Sequence, residues 1–172
     1  IETAKSSTPM WCRKKLEQGI RVVMNETEHD VWEFITNARN EFSKLPIEEI
    51  SFPRGCQNVK KYSNAASIYR KGTPIHVRGS LLYNNYLSKY NIDKKYPVIT
   101  NGEKVKFCYL KMPNVINENV ISFVNALPKE FELEPYIDYE TQFNKTFVET
   151  LGVILNKIGW TTEPVSTLDN FF

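Results

Sequence analysis

The stretch Thr8–Pro46, TPMWCRKKLEQGIRVVMNETEHDVWEFITNARNEFSKLP, decides the reading of the fold. Thr8-Pro9 is a helix start, with the threonine hydroxyl available as N-cap and the proline at the first helical position, where its missing N–H costs nothing. Cys12, Leu16, Ile20 and Val23 then recur at three- and four-residue steps, which makes one buried stripe ending near Asn25. Thr27 caps a second helix through Val31, Phe34, Ile35, Ala38, Phe42 and Leu45, which Pro46 stops. Two amphipathic helices joined by a very short turn predict a helical hairpin.

Outward from the hairpin the pattern changes. Residues 51–79 keep neither helical nor strand period and collect Pro53, Gly55, Asn58, Gly72 and Pro74, so short elements in loops are expected. A helix is expected from Ser80 to about Tyr90. Asn101-Gly102 gives a tight turn, after which Lys104 and Lys106 alternate with Val105, Phe107 and Tyr109 as in a half-buried strand. A short helix is expected over Glu118–Leu127. A long one over about Asp138–Ile158 carries Phe143, Phe147, Leu151, Ile154 and Ile158 on one stripe. The sum is an α+β fold, mainly helical: a hairpin plus further helices with a small β component.

The chain has 172 residues, 41% hydrophobic and 24% charged, which fits one ordinary domain and excludes wholesale disorder. No apolar run approaches the roughly 20 residues of a membrane-spanning helix, so no membrane partner is expected. Cys12, Cys56 and Cys108 are odd in number and far apart, which indicates neither a disulfide framework nor a zinc site and suits a reducing cytoplasm. The sequons at Asn25 and Asn144 are read as chance. IETAKSSTPM carries no initiator Met, and the chain is read as starting inside something longer.

The net charge of +2 conceals a separation. Residues 1–50 carry −2, residues 51–111 carry +10 and residues 112–172 carry −6. A stretch that basic repels itself and attracts polyanions, with nucleic acid foremost, although lysines such as Lys89, Lys94 and Lys95 serve equally well to solvate a helix end. The paired acids Glu48-Glu49 and the Glu130, Glu132, Glu134 set read as surface charge.

Catalytic motifs are missing from the sequence: no GxSxG, HExxH, P-loop or GxGxxG. His29 reads as a solvated helix-start residue. His76 lies in Pro74-Ile-His-Val-Arg-Gly79, where His76 and Arg78 share one side of an extended strand and both can donate to phosphate; the plainer alternative is a hydrogen-bonded core histidine. In Phe52-Pro-Arg-Gly-Cys-Gln-Asn-Val-Lys-Lys-Tyr-Ser63 a glycine that permits close backbone approach is interleaved with phosphate-neutralising Arg54, Lys60 and Lys61 and with Asn58 and Tyr62, which suit sugar and groove edges. The terminus Pro164–Phe172 sets Leu168 three residues before the Phe171-Phe172 pair, the spacing of a peptide that plugs a sliding-clamp pocket, unless it folds back on its own core.

Six segments in order, Lys5-Ser-Ser-Thr-Pro9, Asn58-Val-Lys-Lys-Tyr62, His76-Val-Arg-Gly79, Gly102-Glu-Lys-Val105, Tyr136-Ile-Asp-Tyr139 and Ser166-Thr-Leu-Asp-Asn-Phe-Phe172, resemble the C-terminal thumb of family B DNA polymerases of the T-even-like phage type. The resemblance runs from Lys5 to Phe172 and implies a thumb over residues 1–163 with a clamp-binding tail over 164–172. It implies that the catalytic residues, with their Mg2+, lie in upstream palm and exonuclease parts, so that this chain carries no catalytic residue, metal ligand or cofactor of its own. Its partners are then primer-template duplex DNA, the sliding clamp and the palm and exonuclease portion of the polymerase, in the cytoplasm of an infected bacterium. Carried over by position, Arg54, Gly55, Asn58, Lys60, Lys61, Tyr62, His76 and Arg78 face DNA, Lys5 faces the primer strand near the palm, and Leu168, Phe171 and Phe172 enter the clamp. Phe52-Pro53-Arg54 departs from the small polar residues of related thumbs, which implies phosphate contact by Arg54 in place of close groove contact. Holding any sequence requires charge and shape, and five phosphate contacts predict a log-log salt slope of about −4.5. A free-standing binder of structured RNA or duplex DNA is the second reading; a small nuclease is the third, disfavoured by the lack of a clustered acidic metal site.

Overall fold

Thr27 closes a capping box: its hydroxyl accepts from the Asp30 N–H at 3.2 Å while the Asp30 carboxylate accepts from the Thr27 N–H at 3.1 Å. This reciprocal pair fixes the start of the second helix in a computed structural model of the protein, which describes residues 6–164.

In chain order the elements are α1 (Met10–Asn25), α2 (Glu28–Phe42), α3 (Ile47–Ile50), β1 (Phe52–Gly55), α4 (Val59–Tyr62), β2 (Ser63–Asn64), β3 (Ile68–Tyr69), α5 (Ile75–Lys89), β4 (Lys104–Tyr109), β5 (Val120–Phe123), α6 (Tyr139–Phe143), a π-helical stretch over Asn144–Val148, and α7 (Glu149–Lys157). The fold is α+β, as expected. Two compact units divide it: the two ends of the chain, up to Leu45 and from Phe143 on, form one, and the contiguous Pro46–Gln142 forms the other.

The discontinuous unit is the helical hairpin with a third helix against it. Cys12, Leu16, Val31, Ile35, Ala38, Phe42, Phe143, Phe147, Leu151 and Leu155 are among its buried residues, and each fully buried large side chain contributes about 1.5–3 kcal/mol. Phe143 stacks on Phe147 with ring centroids 5.0 Å apart, and Phe42 meets Phe143 at 5.2 Å. Beyond α7 the chain is fastened to α2, with Trp32 Nε1 donating to the Thr161 carbonyl and the Thr161 N–H donating to Glu28. One expectation fails here. Pro9 is itself the N-cap of α1 and no side chain caps it, because its ring pre-sets the entry without help from Thr8.

The contiguous unit is built on an antiparallel sheet in the order β1-β4-β5. Phe52 lies opposite Phe107 and Gly55 opposite Lys104, and Pro53 is tolerated because β1 is an edge. Cys108 is fully buried beside Val105 and Phe107, so β4 is covered on both faces. The segment Glu118–Leu127 is not a helix: Val120–Phe123 is a fully buried strand, a four-residue run too short to distinguish from helix by period. Helix α5 lies on β5, and it starts at Ile75, not Ser80, because Pro74 occupies the N-cap with φ −55°. Gln142 joins the layers, its Nε2 donating to the Ile50 carbonyl and its Oε1 accepting from the Tyr109 N–H, both at 2.8 Å. Among the described residues no helix is long and apolar enough to cross a membrane.

Candidate nucleic-acid interface

The basic residues of the middle segment all lie in the contiguous unit, in which α5 packs against α4 and β3. Strand β1 brings Arg54 over the stacked rings of Phe52 and Phe107, with its guanidinium carbon 5.4 Å from each centroid and Nη1 donating to the Pro53 carbonyl. Gly55, next in the strand, is exposed, and a β-carbon there would meet nothing within 4 Å, so the space on that side of the strand is open. His76 is half-buried on α5, its ring 6.4 Å from Phe107, and it hydrogen-bonds to the Gly55 backbone. Burial, and then the charge of Arg54, hold the imidazole below its ordinary value. His76 is therefore neutral at pH 7. The structure thus joins Arg54, Gly55 and His76 in one cluster.

After Gly55 the chain is tied to the Asn101-Gly102 turn. Cys56 exchanges backbone hydrogen bonds with Glu103 and Gly102, and the Asn58 N–H donates to Asn101 Oδ1 at 2.6 Å. Asn58 takes the left-handed conformation, φ 61°, which asparagine tolerates better than most residues and which turns the chain into α4. Helix α4 presents Lys60 and Lys61 to solvent, with the Lys61 ammonium 5.2 Å above the half-buried Tyr62 ring. The Tyr62 carbonyl accepts from the Arg70 N–H at 2.8 Å, which turns the hairpin back so that exposed Arg70 and Lys71 follow it. Asn64 accepts from the Ala66 and Ser67 N–H groups at the hairpin tip, and Ile68 sits at φ 70°, a costly conformation for a β-branched residue.

Arg78 is not part of that cluster and stands instead against Tyr69 of the β2–β3 hairpin, next to Arg70. The expected shared strand face does not exist, since His76 and Arg78 are two residues apart on a helix and point different ways. Arg78 Nη1 lies 3.4 Å from Glu118 Oε2, its guanidinium stands 5.7 Å over the Tyr69 ring, and the Tyr69 hydroxyl donates to Glu118 Oε1 at 2.8 Å. Glu130 is likewise not bare surface charge. It accepts from Lys95 at 2.6 Å and from the Tyr96 hydroxyl at 2.8 Å, which holds its carboxyl near 2. The acids that follow the basic segment thus fold back and neutralise part of it. Lys60, Lys61, Arg70, Lys71 and Lys104 are left exposed around α4, the hairpin and the start of β4, and Lys89, Lys94, Lys95 and Lys111 are exposed further along the segment.

Sequence reasoning missed Arg70, Lys71 and Lys104 as members of this rim. Their signal was present, because Lys104 opens a strand next to a glycine turn and Arg70-Lys71 precedes Gly72, but pairing with β1 and the hairpin is what gathers them. Lys5 and the tail residues Leu168, Phe171 and Phe172 lie outside the described residues. Elsewhere, His29, Asp30 and Glu33 place their ligand atoms within 4.8 Å of one another at the exposed start of α2. The three thiols are buried, with Cys108 pushed up to about 12 and Cys12 to about 11 by desolvation.

No family model matches the chain. It is 30% identical, over 176 aligned positions that cover all of it, to the DNA-directed DNA polymerase of Enterobacteria phage T4. To the DNA-directed DNA polymerase of Escherichia phage RB69 it is 31% identical over 156 positions, 88% of the chain. Those alignments take in 19% and 17% of the two polymerases, so the chain spans about a fifth of the length of the curated relatives it matches. From end to end, therefore, the chain belongs with the T4-like phage DNA polymerases, as the counterpart of one segment of them.

Proposed function

We propose that this chain is the thumb of a family B phage DNA polymerase, and that it grips the primer-template duplex behind an active site carried by palm and exonuclease parts, where Mg2+ supplies the metal chemistry. The observation that supports this reading best is the match to two phage polymerases along the whole chain. The exposed rim of Lys60, Lys61, Arg70, Lys71 and Lys104 suits it, because a polymerase has to hold any sequence and phosphate contacts carry no sequence information. Arg54 supplies a guanidinium beside that rim and Gly55 leaves room for close approach next to it, with Asn58 and Tyr62 assigned to sugar and groove edges. His76, being neutral, serves to position Gly55 and Arg54 more than to neutralise phosphate. Lys5 is assigned to the primer strand, and Leu168, Phe171 and Phe172 to a pocket of the sliding clamp, which makes each re-encounter with DNA intramolecular.

Fluorescence anisotropy tests the grip. Binding to labelled primer-template duplex of unrelated sequences is expected at equal affinity, and Lys61→Ala or Lys104→Ala is expected to flatten the log-log salt dependence by about 0.9 each. Equal affinity for single strands, tighter binding to hairpin RNA, or no binding at low salt defeats the duplex reading. Removing Leu168–Phe172 is expected to abolish capture by the cognate clamp and to leave duplex affinity nearly unchanged; loss of both defeats the assignment of the tail.

A further inference from the structure

Arg78 and Glu118 form an ion pair at an intermediate depth, with side-chain exposures of 22% and 21%. The contact is single and long, 3.4 Å, where a bidentate fork would give two shorter ones. Glu118 is nonetheless held firmly. The Tyr69 hydroxyl occupies one of its oxygens, and the Asn114 side chain braces its backbone, donating to the Glu118 carbonyl at 2.6 Å and accepting from the Glu118 N–H. The carboxylate is thus presented to Arg78 by two neighbours, and Arg78 rests against the Tyr69 ring below it. A carboxylate fixed in front of a guanidinium offers what a phosphate offers: two anionic oxygens on a planar donor set.

We propose that Glu118 is an internal competitor for nucleic-acid phosphate. In the free protein it holds Arg78, and when a duplex lies along the basic rim a phosphate displaces it, so that Glu118 lowers affinity and keeps the grip loose enough to slide. This rests on the duplex-binding reading above and adds a residue that tunes it. The competition has a defined size, because binding has to give up the Arg78–Glu118 pair, worth up to about fivefold in affinity for a partly exposed ion pair. Arg78 meets phosphate in the complex whether or not Glu118 is charged, so the log-log salt slope is expected to stay the same.

The test compares the full chain with Glu118→Gln, Arg78→Ala and the double variant, by anisotropy on primer-template duplex across a salt series. Glutamine keeps an oxygen for Tyr69 and removes the charge. The expected result is that Glu118→Gln binds about threefold tighter at low salt with an unchanged slope, that Arg78→Ala alone changes affinity less than Lys61→Ala does, and that the double variant loses the gain. Wild-type binding with no gain in Glu118→Gln, or a gain that survives in the double variant, overturns the role of Glu118 and leaves the grip intact. Absence of binding by all four proteins overturns the duplex reading and this proposal with it. A measurement on the unmutated chain guards against a folding defect in the variant: the Arg78 Nε–Hε resonance is expected to shift on saturation with duplex. A resonance that does not move overturns the proposal.

Discussion

Gly79 and Ser122 approach so closely that no side chain fits between α5 and β5. A β-carbon on Gly79 would lie 2.8 Å from the Ser122 backbone nitrogen and 3.1 Å from the Ile121 carbonyl carbon, and would collide with the Ser122 hydroxyl. That hydroxyl donates to the His76 carbonyl at 2.9 Å, so the same contact fixes the turn of α5 that carries His76. Alanine normally favours a helix interior by about 1 kcal/mol over glycine. Here Gly79→Ala is expected to destabilise instead, by about 1–3 kcal/mol, because the obstacle is backbone and cannot rotate away. Urea unfolding followed by circular dichroism checks the sign.

Gln142 satisfies two backbone groups with one buried side chain. Gln142→Leu keeps the volume and strands the Ile50 carbonyl and the Tyr109 N–H. At about 1–3 kcal/mol for each unsatisfied buried group, a loss of about 2–4 kcal/mol is expected. Unfolding midpoints of the variant and of the parent chain measure it.

The titration of His76 reports the Arg54 cluster. Its folded pKa lies below the ordinary 6.5 through burial and through Arg54. The unfolded chain therefore takes the proton first as pH falls, and the stability linked to this group is complete above about 6.5 and declines below it. An NMR titration is expected to place the midpoint under 6.5, and Arg54→Gln to move it up. A midpoint above 6.5 in the parent chain would contradict the described packing.

All three thiols should be inert in the folded chain. Cys12, Cys56 and Cys108 are buried, and desolvation raises each of them, Cys108 to about 12. A disulfide reagent at pH 8 is expected to find no reactive thiol until denaturant is added, and then three. Rapid modification of any one before unfolding would refute its burial.

What the sequence disclosed follows from how local each signal is. The hairpin was legible because Thr27 and the four-residue spacing of Leu16, Ile20, Val31 and Ile35 act within one helix. Strand β4 was legible because lysines alternate with Val105 and Phe107. Val120–Phe123 was not, since a buried run without alternation carries no period and only pairing with β4 makes it a strand. The rim residues Lys60, Lys61 and Tyr62 were visible as a motif, whereas the fate of Arg78 was hidden. Glu118 is forty positions away, and no local rule brings it to a particular arginine. The +10 segment looked more cationic in the sequence than it is when folded, because Glu118 and Glu130 return to it from the acidic stretch that follows.

The discontinuous unit also dictates an order of completion during synthesis. The faces of α1 and α2 that end up against Phe143, Phe147 and Leu151 leave the ribosome uncovered. They stay so while all of Pro46–Gln142 is made, about 100 residues and hence roughly 5–20 s at ordinary translation rates. The inserted unit has every one of its strands in hand before that and is free to fold first, so the nascent hairpin is the part of this chain most in need of a chaperone's protection.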